Sequence, residues 1–537
     1  MDAQQTRSRQ RILESAVDLL REKGLSGELV SAAAQAANVP LTSAKLFFPT
    51  DEELILAFYF RINSDLQLRA AALPEGGVSH RFRTLVQAKL DLAAPYREAF
   101  TGLFAKMLDP RTNIGVLSQQ TELVRLRARA AFANVVHGAK HAPAAAVELT
   151  QGLYSAHLAL LLIWSQDRSP NAASTLAALD VICKLTDLIC RFRWTPLSAN
   201  LLQSIGAVAG PLVDPPADPQ HTQRAREILH LVFRHRRLLP HSHEKCAAAT
   251  ASSSGDLCEH CLAPHLALVR RFVSTNLPVH FVLPAFPAKS PNPEKVLGAT
   301  PDLAEELSLE FLNDLCAEIR KIHKPGARIT ICSDGLVFSD LVGVSDENVI
   351  NYGQQINEII LQQNLSSLDA FHMQDLYDEA NSIPQMRESL CRHYAESDQA
   401  IRERLHSNKN QQALFNGIQR FLFEDRVVID KGKSRTRIRE ECKQRTYEVI
   451  QRSDAWGRLV ADCFPASLRL SIHPQPPHSE KIGILLGESP DVWLTPWHAV
   501  ALKQKGKFRL IKRREAEEAG AAVVMVEGRP NYMELPR

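Results

Sequence analysis

Between residues 278 and 364 the chain runs twice through the same pair of patterns, and no other feature narrows its fold as much. "PVHFVLPAF" is an apolar, β-branched run that closes on prolines. It is followed by "PDLAEELSLEFLNDLCAEIRKIH", whose apolar positions recur at helical spacing behind Pro301 and Asp302. "ARITICSDG" and "ENVINYGQQINEIILQQN" then repeat the sequence of strand and helix. Short strands alternating with long amphipathic helices predict an α/β, Rossmann-like domain with a parallel sheet. The later runs "LRLSIHP", "IGILLG", "VWLTPWHAVAL", "FRLIKR" and "AAVVMVEG" read as further strands, a mixed extension of the same sheet.

Open α/β sheets bind ligands beyond the carboxyl ends of their strands. The loop after the first strand, "PAFPAKSPNPEKVLG", carries Lys289, Ser290, Asn292 and Lys295. Two ammonium groups, a hydroxyl and an amide on a proline-stiffened loop suit a phosphate or carboxylate. The loop after the second strand, "SDGLVFSD", carries Ser333, Asp334 and Asp340, carboxylates able to move protons or bind hydroxyls. Either loop alone reads better as a connector or a common turn. Two such loops at one sheet edge define a candidate site.

The first third has a different character. "SRQRILESAVDLLREK" is an amphipathic helix ended by Gly24, and "LVSAAAQAANV" and "PLTSAKLFF" are short helices meeting at a turn around Asn38 and Val39. Pro49 and an N-cap at Thr50 open the next helix, "TDEELILAFYF". This order resembles the DNA-binding domain of the tetracycline-repressor (TetR) family over roughly residues 7–60. The resemblance implies a helix-turn-helix that meets DNA through Thr42, Ser43 and Lys45. The family's recognition helix usually ends in tyrosine, histidine and lysine that bind phosphates. Ala44, Lys45, Phe47, Phe48 and Asp51 occupy this part of the chain, so Lys45 keeps a phosphate contact, Phe47 has none and Asp51 repels the backbone. Arg7, Arg9 and Arg11 offset part of that loss. Residues 62–197 are Ala- and Leu-rich with helical periodicity, which by the same resemblance implies a ligand-sensing and dimerisation domain and a homodimer. The expected division is 1–60 helix-turn-helix, 61–200 helical domain, 201–223 linker and 224–537 α/β domain. The linker rests on the Pro- and Gly-rich "GAVAGPLVDPPADPQHTQ".

At 537 residues the chain is too long for one core. A net charge of +3 gives no bulk attraction to nucleic acid, so any DNA contact must be local. No apolar run reaches about 18 residues, so no membrane span is expected. "MDAQQTRSRQRILESAV" lacks a signal-peptide core, and the expected setting is cytoplasmic. The ten cysteines are then expected as thiols. Cys258 and Cys261 form a C-x₂-C pair amid His241, His243, Cys246, His260 and His265. Without a second pair at matching spacing they are read as two thiols at a helix start with His265 packed behind, and no metal is expected. The basic run Asp430–Arg445 is read as a solvated helix with internal pairs through Glu440 and Glu441.

From about residue 225 to 535, long ordered stretches resemble the isocyanide (isonitrile) synthases of the pyoverdine/dityrosine biosynthesis family. They include "FVLPAFPAKSPNPEKVLGATPDLAEELSL", "PGARITICSDGLVFSDLVGVSDENVINY", "YEVIQRSDAWGRLVADCFPASLRLSIHPQP" and "DVWLTPWHAVAL". The resemblance implies condensation of the amine of tyrosine or tryptophan with ribulose 5-phosphate, without a cofactor, in secondary metabolism. It also implies a downstream Fe(II)/2-oxoglutarate oxygenase as partner. Such a reaction needs a cationic cradle, for which Lys289, Ser290 and Lys295 are first choices and Lys481 and Arg513 alternatives. It needs proton carriers, for which Asp334, His473 and His498 are candidates. Arg469 suits the substrate carboxylate, Asp340 the sugar hydroxyls, and Phe338, Trp456 or Trp497 an aromatic wall. The alternative is a TetR-type regulator whose C-terminal domain senses a small molecule without turnover.

Overall fold

The computed structural model describes residues 3–24, 28–109, 111–213, 218–239, 258–377 and 381–536. The chain divides into two compact units, Met1–Pro219 with Ala461–Pro465, and Gln220–Val460 with Ala466–Arg537.

Among its described residues the first unit has helices joined by turns and no strand. It begins with α1 (Ala3–Lys23), α2 (Leu29–Ala36), α3 (Leu41–Phe47) and α4 (Asp51–Ala71). Gly24 takes the left-handed conformation just past α1, and Asn38 takes it in the turn between α2 and α3. Ile12, Leu13, Val30, Ala33, Ala44, Phe48, Leu54 and Phe58 close one core over these helices. Thr42 and Lys45 are exposed, and Ser43 is half-buried. Asp51 does not stand as a free repelling charge. Its Oδ1 accepts from the Val30 N–H at 2.8 Å and so satisfies a donor that the first turn of α2 leaves without an intrahelical partner. Arg11 donates to the Ala37 carbonyl and Arg9 lies over the Phe48 ring, so both brace the turn.

Next come α5 (Val78–Ala93), α6 (Arg97–Leu108), α7 (Glu122–His137), α8 (Ala146–Gln166), α9 (Ala173–Arg191) and α10 (Pro196–Val213); α6 adds Ala99 and Leu103 to the first core, and the others build a second core with the end of α4. By length and composition alone α8 could cross a membrane. In the fold its Leu149, Leu153, Tyr154 and Leu160 pack with Phe82 and Phe132 inside this core. Of the stretch 201–223, expected as a linker from its prolines, residues 201–213 belong to α10, and the boundary between the two units falls at Pro219. Leu202 and Ala209 of α10 are buried, and the chain is helical again from Pro219. Pro196 and Pro219 sit at helix starts, where a missing N–H costs nothing.

The second unit carries α11 (Pro219–Phe233), α12 (Glu259–Ser274), β1 (Val279–Leu283), α13 (Leu303–Ile322), β2 (Ala327–Ser333), α14 (Gly335–Val342), α15 (Asp346–Gln362) and β3 (Leu368–His372). It continues with α16 (Ile383–Tyr394), α17 (Asp398–Ser407), α18 (Lys409–Ile429), α19 (Arg435–Cys463), β4 (Leu468–Ser471) and β5 (Ile482–Gly483). The five strands lie in the order β3-β2-β1-β4-β5, every pairing parallel. Such sheets are buried on both faces, and β1 is buried at every residue. Asp302 opens α13 with a capping box, accepting from Ala304 N while Glu305 accepts from Asp302 N.

The strands after residue 500 do not extend this sheet. β6 (Val500–Gln504), β7 (Lys507–Ile511), β8 (Ala522–Val526) and β9 (Arg529–Glu534) form a separate sheet in the order β7-β6-β9-β8, with the short helix α20 (Arg513–Glu518) between β7 and β8. The run "VWLTPWHAVAL" is broken by a 3₁₀ turn at Pro496–His498, so only its end is a strand. The basic run after Asp430 is the start of α19, and Glu441 pairs there with Lys433 and Arg437.

Candidate active site

Strand order reverses between β1 and β4, so the crevice at their carboxyl ends is where an open parallel sheet receives a ligand. Three segments meet there. Ser333 at the end of β2 donates to the Phe286 carbonyl at 3.2 Å. The Phe286 ring lies 5.4 Å from that of Trp497, and Ser290 N donates to the Trp497 carbonyl at 2.9 Å. A Cβ on Gly335 would fall 2.1 Å from the Pro287 carbonyl oxygen, so only glycine lets the end of β2 come this close to the loop after β1.

Asp334 stands at this junction. It is 8% exposed, and no described group hydrogen-bonds its Oδ1. Burial pushes its carboxyl up to about 7. A buried acceptor without a partner marks a place that a ligand's donor can complete.

The lysines of the first loop are placed otherwise than their sequence suggests. Lys289 Nζ lies 2.8 Å from Asp302 Oδ2 and 2.7 Å from Glu305 Oε2, with none of its side chain exposed. Tyr352 donates to Glu305 Oε1 at 3.1 Å. Burial lifts the Glu305 carboxyl above its usual range although Lys289 pulls it down. Lys289 therefore locks the loop to the first turn of α13 and has no charge left to offer a phosphate. Lys295 reaches Asp425 Oδ1 at 2.6 Å and Glu424 Oε2 at 3.1 Å, and Ser290 also bonds Asp425. Arg513 donates to the carbonyls of Pro293 and Val296, each at 2.8 Å, and so buttresses the same loop. The physical reason is common to all four. A proline-rich loop has few N–H groups to fix itself, and side chains do that work instead.

The other side of the crevice is formed by β4 and by α18. Gly417, Phe421 and Asp425 recur every four residues and share one face of α18. A Cβ on Gly417 would lie 3.0 Å from the Trp493 ring, Phe421 stacks on His498 at 5.3 Å and 14°, and Asp425 holds Lys295. His498 Nδ1 is 3.1 Å from Thr495 Oγ1. Burial, reinforced by Lys295, Lys289 and His473, keeps this imidazole neutral far below its ordinary pKa. His473 lies just past β4 with its ring 6.4 Å from Trp493. Burial and the charges of Arg237 and Lys481 lower it to about 4. Arg237, almost fully buried, donates to Ile472 O at 2.7 Å and Leu494 O at 2.8 Å. It thus fixes the segments that carry both histidines.

Beside β4 lies a cluster of charge. Arg404 bonds Glu396 and Asp454, Arg458 bonds Glu396, and Arg469 is 3.7 Å from Glu480 while donating to Gly457 O. Among the described residues no carboxylate pairs with Lys481. Four cations here face three carboxylates, and Lys481 carries the excess. Burial and the neighbouring Arg469 lower its pKa to about 8.

The remaining expectations fall outside the crevice. Trp456 is fully buried on α19, donates to Cys332 O at 3.2 Å and stacks on Phe371, so it is core and not a pocket wall. Phe338 packs with Ile418, Phe423 and Leu422 between α14 and α18. Asp340 pairs with Arg452 at 2.7 Å and with Arg387 at 3.6 Å. Phe421, Asp425, Arg237 and Glu305 were not singled out from the sequence. The i, i+4 spacing on α18 was the one signal available for the first two.

Residues 269–524 match the family model of pyoverdine/dityrosine biosynthesis proteins, a range that holds every side chain placed in the crevice except Arg237. L-tryptophan isonitrile synthase AmbI2 of Fischerella ambigua is 49% identical over 308 residues, 57% of this chain and 91% of that protein. An L-tyrosine isonitrile synthase of Pseudomonas aeruginosa is 44% identical over 274 residues, 50% of this chain and 84% of its own. The crystal structure of the PvcA protein from Pseudomonas aeruginosa superposes with a TM-score of 0.53 at 39% identity, covering 58% of this chain and 99% of that one. The chain belongs to the pyoverdine/dityrosine biosynthesis family, that of the isonitrile synthases.

Proposed function

We propose that the second unit condenses the amine of tryptophan or tyrosine with the ketone of ribulose 5-phosphate and releases an amino-acid isonitrile. The observation that carries this reading is that Asp334, His473, Lys481 and His498 all lie within residues 269–524, the range matched by the family model, in a chain 49% and 44% identical to proteins named as tryptophan and tyrosine isonitrile synthases. The local chemistry supports it. An ammonium must lose a proton before it attacks a ketone, and a carboxyl with a pKa near neutrality and a free acceptor oxygen can take it. His473 and His498 stay neutral and can accept or donate hydrogen bonds to the sugar's hydroxyls. Phe421 and Trp493 offer apolar surface to an aromatic side chain. In this reading Lys481 replaces Lys289 as the phosphate-binding cation.

Lys481→Met is expected to raise KM for ribulose 5-phosphate about 10- to 100-fold, the loss of one charge-assisted bond, with a smaller change in kcat. In the unmodified chain the same KM rises as pH passes about 8, because the ammonium then gives up its proton. Steady-state kinetics from pH 7 to 9 measure both. A KM insensitive to the substitution and to pH removes Lys481 from the phosphate site.

A further inference from the structure

Cys258 is the N-cap of α12 and Cys261 lies in its first turn. The sequence placed His265 behind this pair, but His265 packs edge-on against Phe233 and its ring bonds the backbone of Ser479. The residue that reaches the two thiols is His478, from the loop between β4 and β5. Its Nε2 is 3.6 Å from Cys258 Sγ, and the ligand atoms of Cys258, Cys261 and His478 all lie within 4.8 Å of one another. His241, His243 and Cys246 lie outside the described residues, as does the side chain of His260.

We infer that Cys258, Cys261 and His478 form a zinc site that ties the start of α12 to the β4–β5 loop. The geometry fits the ion. Zinc–sulfur bonds of about 2.3 Å and zinc–nitrogen bonds of about 2.0–2.1 Å in a tetrahedron place donor atoms about 3.5–3.8 Å apart, and the observed sulfur–nitrogen distance is 3.6 Å. Two thiolates and an imidazole select zinc over harder divalent cations. Three protein donors leave one coordination position to water or another donor. A shallow hollow lined by Arg236, Cys261, His265, His478 and Lys481 among others gives the ion an entry path.

The loop gives the site a purpose. "HPQPPHSEK" holds Pro474, Pro476 and Pro477, which have no N–H to anchor it, and His478 is left-handed at φ 64°. A non-glycine residue persists there only when its surroundings hold it. The same loop begins at His473 and ends at Lys481, so an ion at His478 fixes the span between the crevice histidine and the cation of the cluster beside β4. The inference rests on ligand geometry and stands whichever substrate the crevice takes.

The test uses the full chain, purified under reducing conditions without chelator. Elemental analysis is expected to find about one zinc per chain, lost in Cys261→Ser and in His478→Ala. Cobalt added to the zinc-depleted chain is expected to give an intense near-ultraviolet thiolate-to-cobalt band. That band persists in Cys316→Ser, a buried thiol elsewhere, and disappears in Cys261→Ser. Circular dichroism checks that each variant folds. Absence of zinc together with absence of the cobalt band, on a folded chain with both thiols reduced, overturns the inference. A Cys258–Cys261 disulfide found by intact mass in the freshly reduced protein also overturns it.

Discussion

Asp334→Asn is expected to stabilise the chain at pH 8 while removing most of its isonitrile-forming activity. The sign follows from the direction of the shift. The carboxyl titrates near its ordinary 3.8 in the unfolded chain and near 7 in the folded one. Below about pH 4 both states hold the proton and the group costs nothing. Between those values the unfolded state gives up its proton and the folded state does not, so stability falls as pH rises. Above 7 the full cost, up to about 4 kcal/mol, is present. Asparagine carries no charge at any pH and lifts that cost. The gain shrinks to roughly 1–2 kcal/mol at pH 5. Loss of a positioned proton acceptor lowers kcat/KM by about 10²- to 10⁴-fold. Denaturant unfolding at pH 5 and pH 8 reads the stability arm. A variant less stable than the parent at pH 8 would show that the carboxylate is compensated and that its site is not held ready for a substrate's amine.

Lys289→Ala is expected to destabilise the second unit by about 3–5 kcal/mol, because it leaves Asp302 and Glu305 buried without their cation. Lys289→Met combined with Glu305→Gln is expected to recover part of that loss, since only Asp302 then stays charged, with the Ala304 N–H as its remaining partner, and the two effects are not additive. Thermal unfolding of the two variants measures this. The same substitution separates a brace from a phosphate ligand. A phosphate ligand would be lost with little change in melting temperature and with loss of the stabilisation expected on adding ribulose 5-phosphate. A lower melting temperature with ligand-induced stabilisation retained, under conditions where the variant is folded, is the result expected of a brace.

The architecture of the second unit was legible because it rests on periodicity. β1, β2, α13 and α15 fall where alternating runs and helix caps placed them. β3 was missed because "LDAFH" carries no β-branched residue and two polar ones. It earns its place from pairing with β2, which local sequence does not report. The separate second sheet was invisible for the same reason, since strand candidates do not state their partners. In the crevice, Asp334 was legible because a carboxylate directly after a strand is a positional signal. Lys289 looked like a free cation because Asp302 and Glu305 read as ordinary helix-start acids, whose reach back to the loop is a tertiary fact. Asp425 and Phe421 were hidden in a helix that resembles any amphipathic surface helix. His478 was hidden by its distance along the chain from Cys258 and Cys261. Asp51 shows the same limit in the first unit, where a charge that reads as repelling DNA is engaged with the start of α2.

The central claim is that this crevice makes an isonitrile from an amino acid and a pentulose phosphate. Its most direct test is to incubate the folded full chain with ribulose 5-phosphate carrying ¹³C at C2, separately with tryptophan and with tyrosine, and to analyse the products by mass spectrometry. The account predicts an amino-acid isonitrile with one of the two, heavier by the single label because C2 becomes the isonitrile carbon, and little or none from Asp334→Asn. Absence of any isonitrile from either amino acid, or an isonitrile without the label, would contradict it.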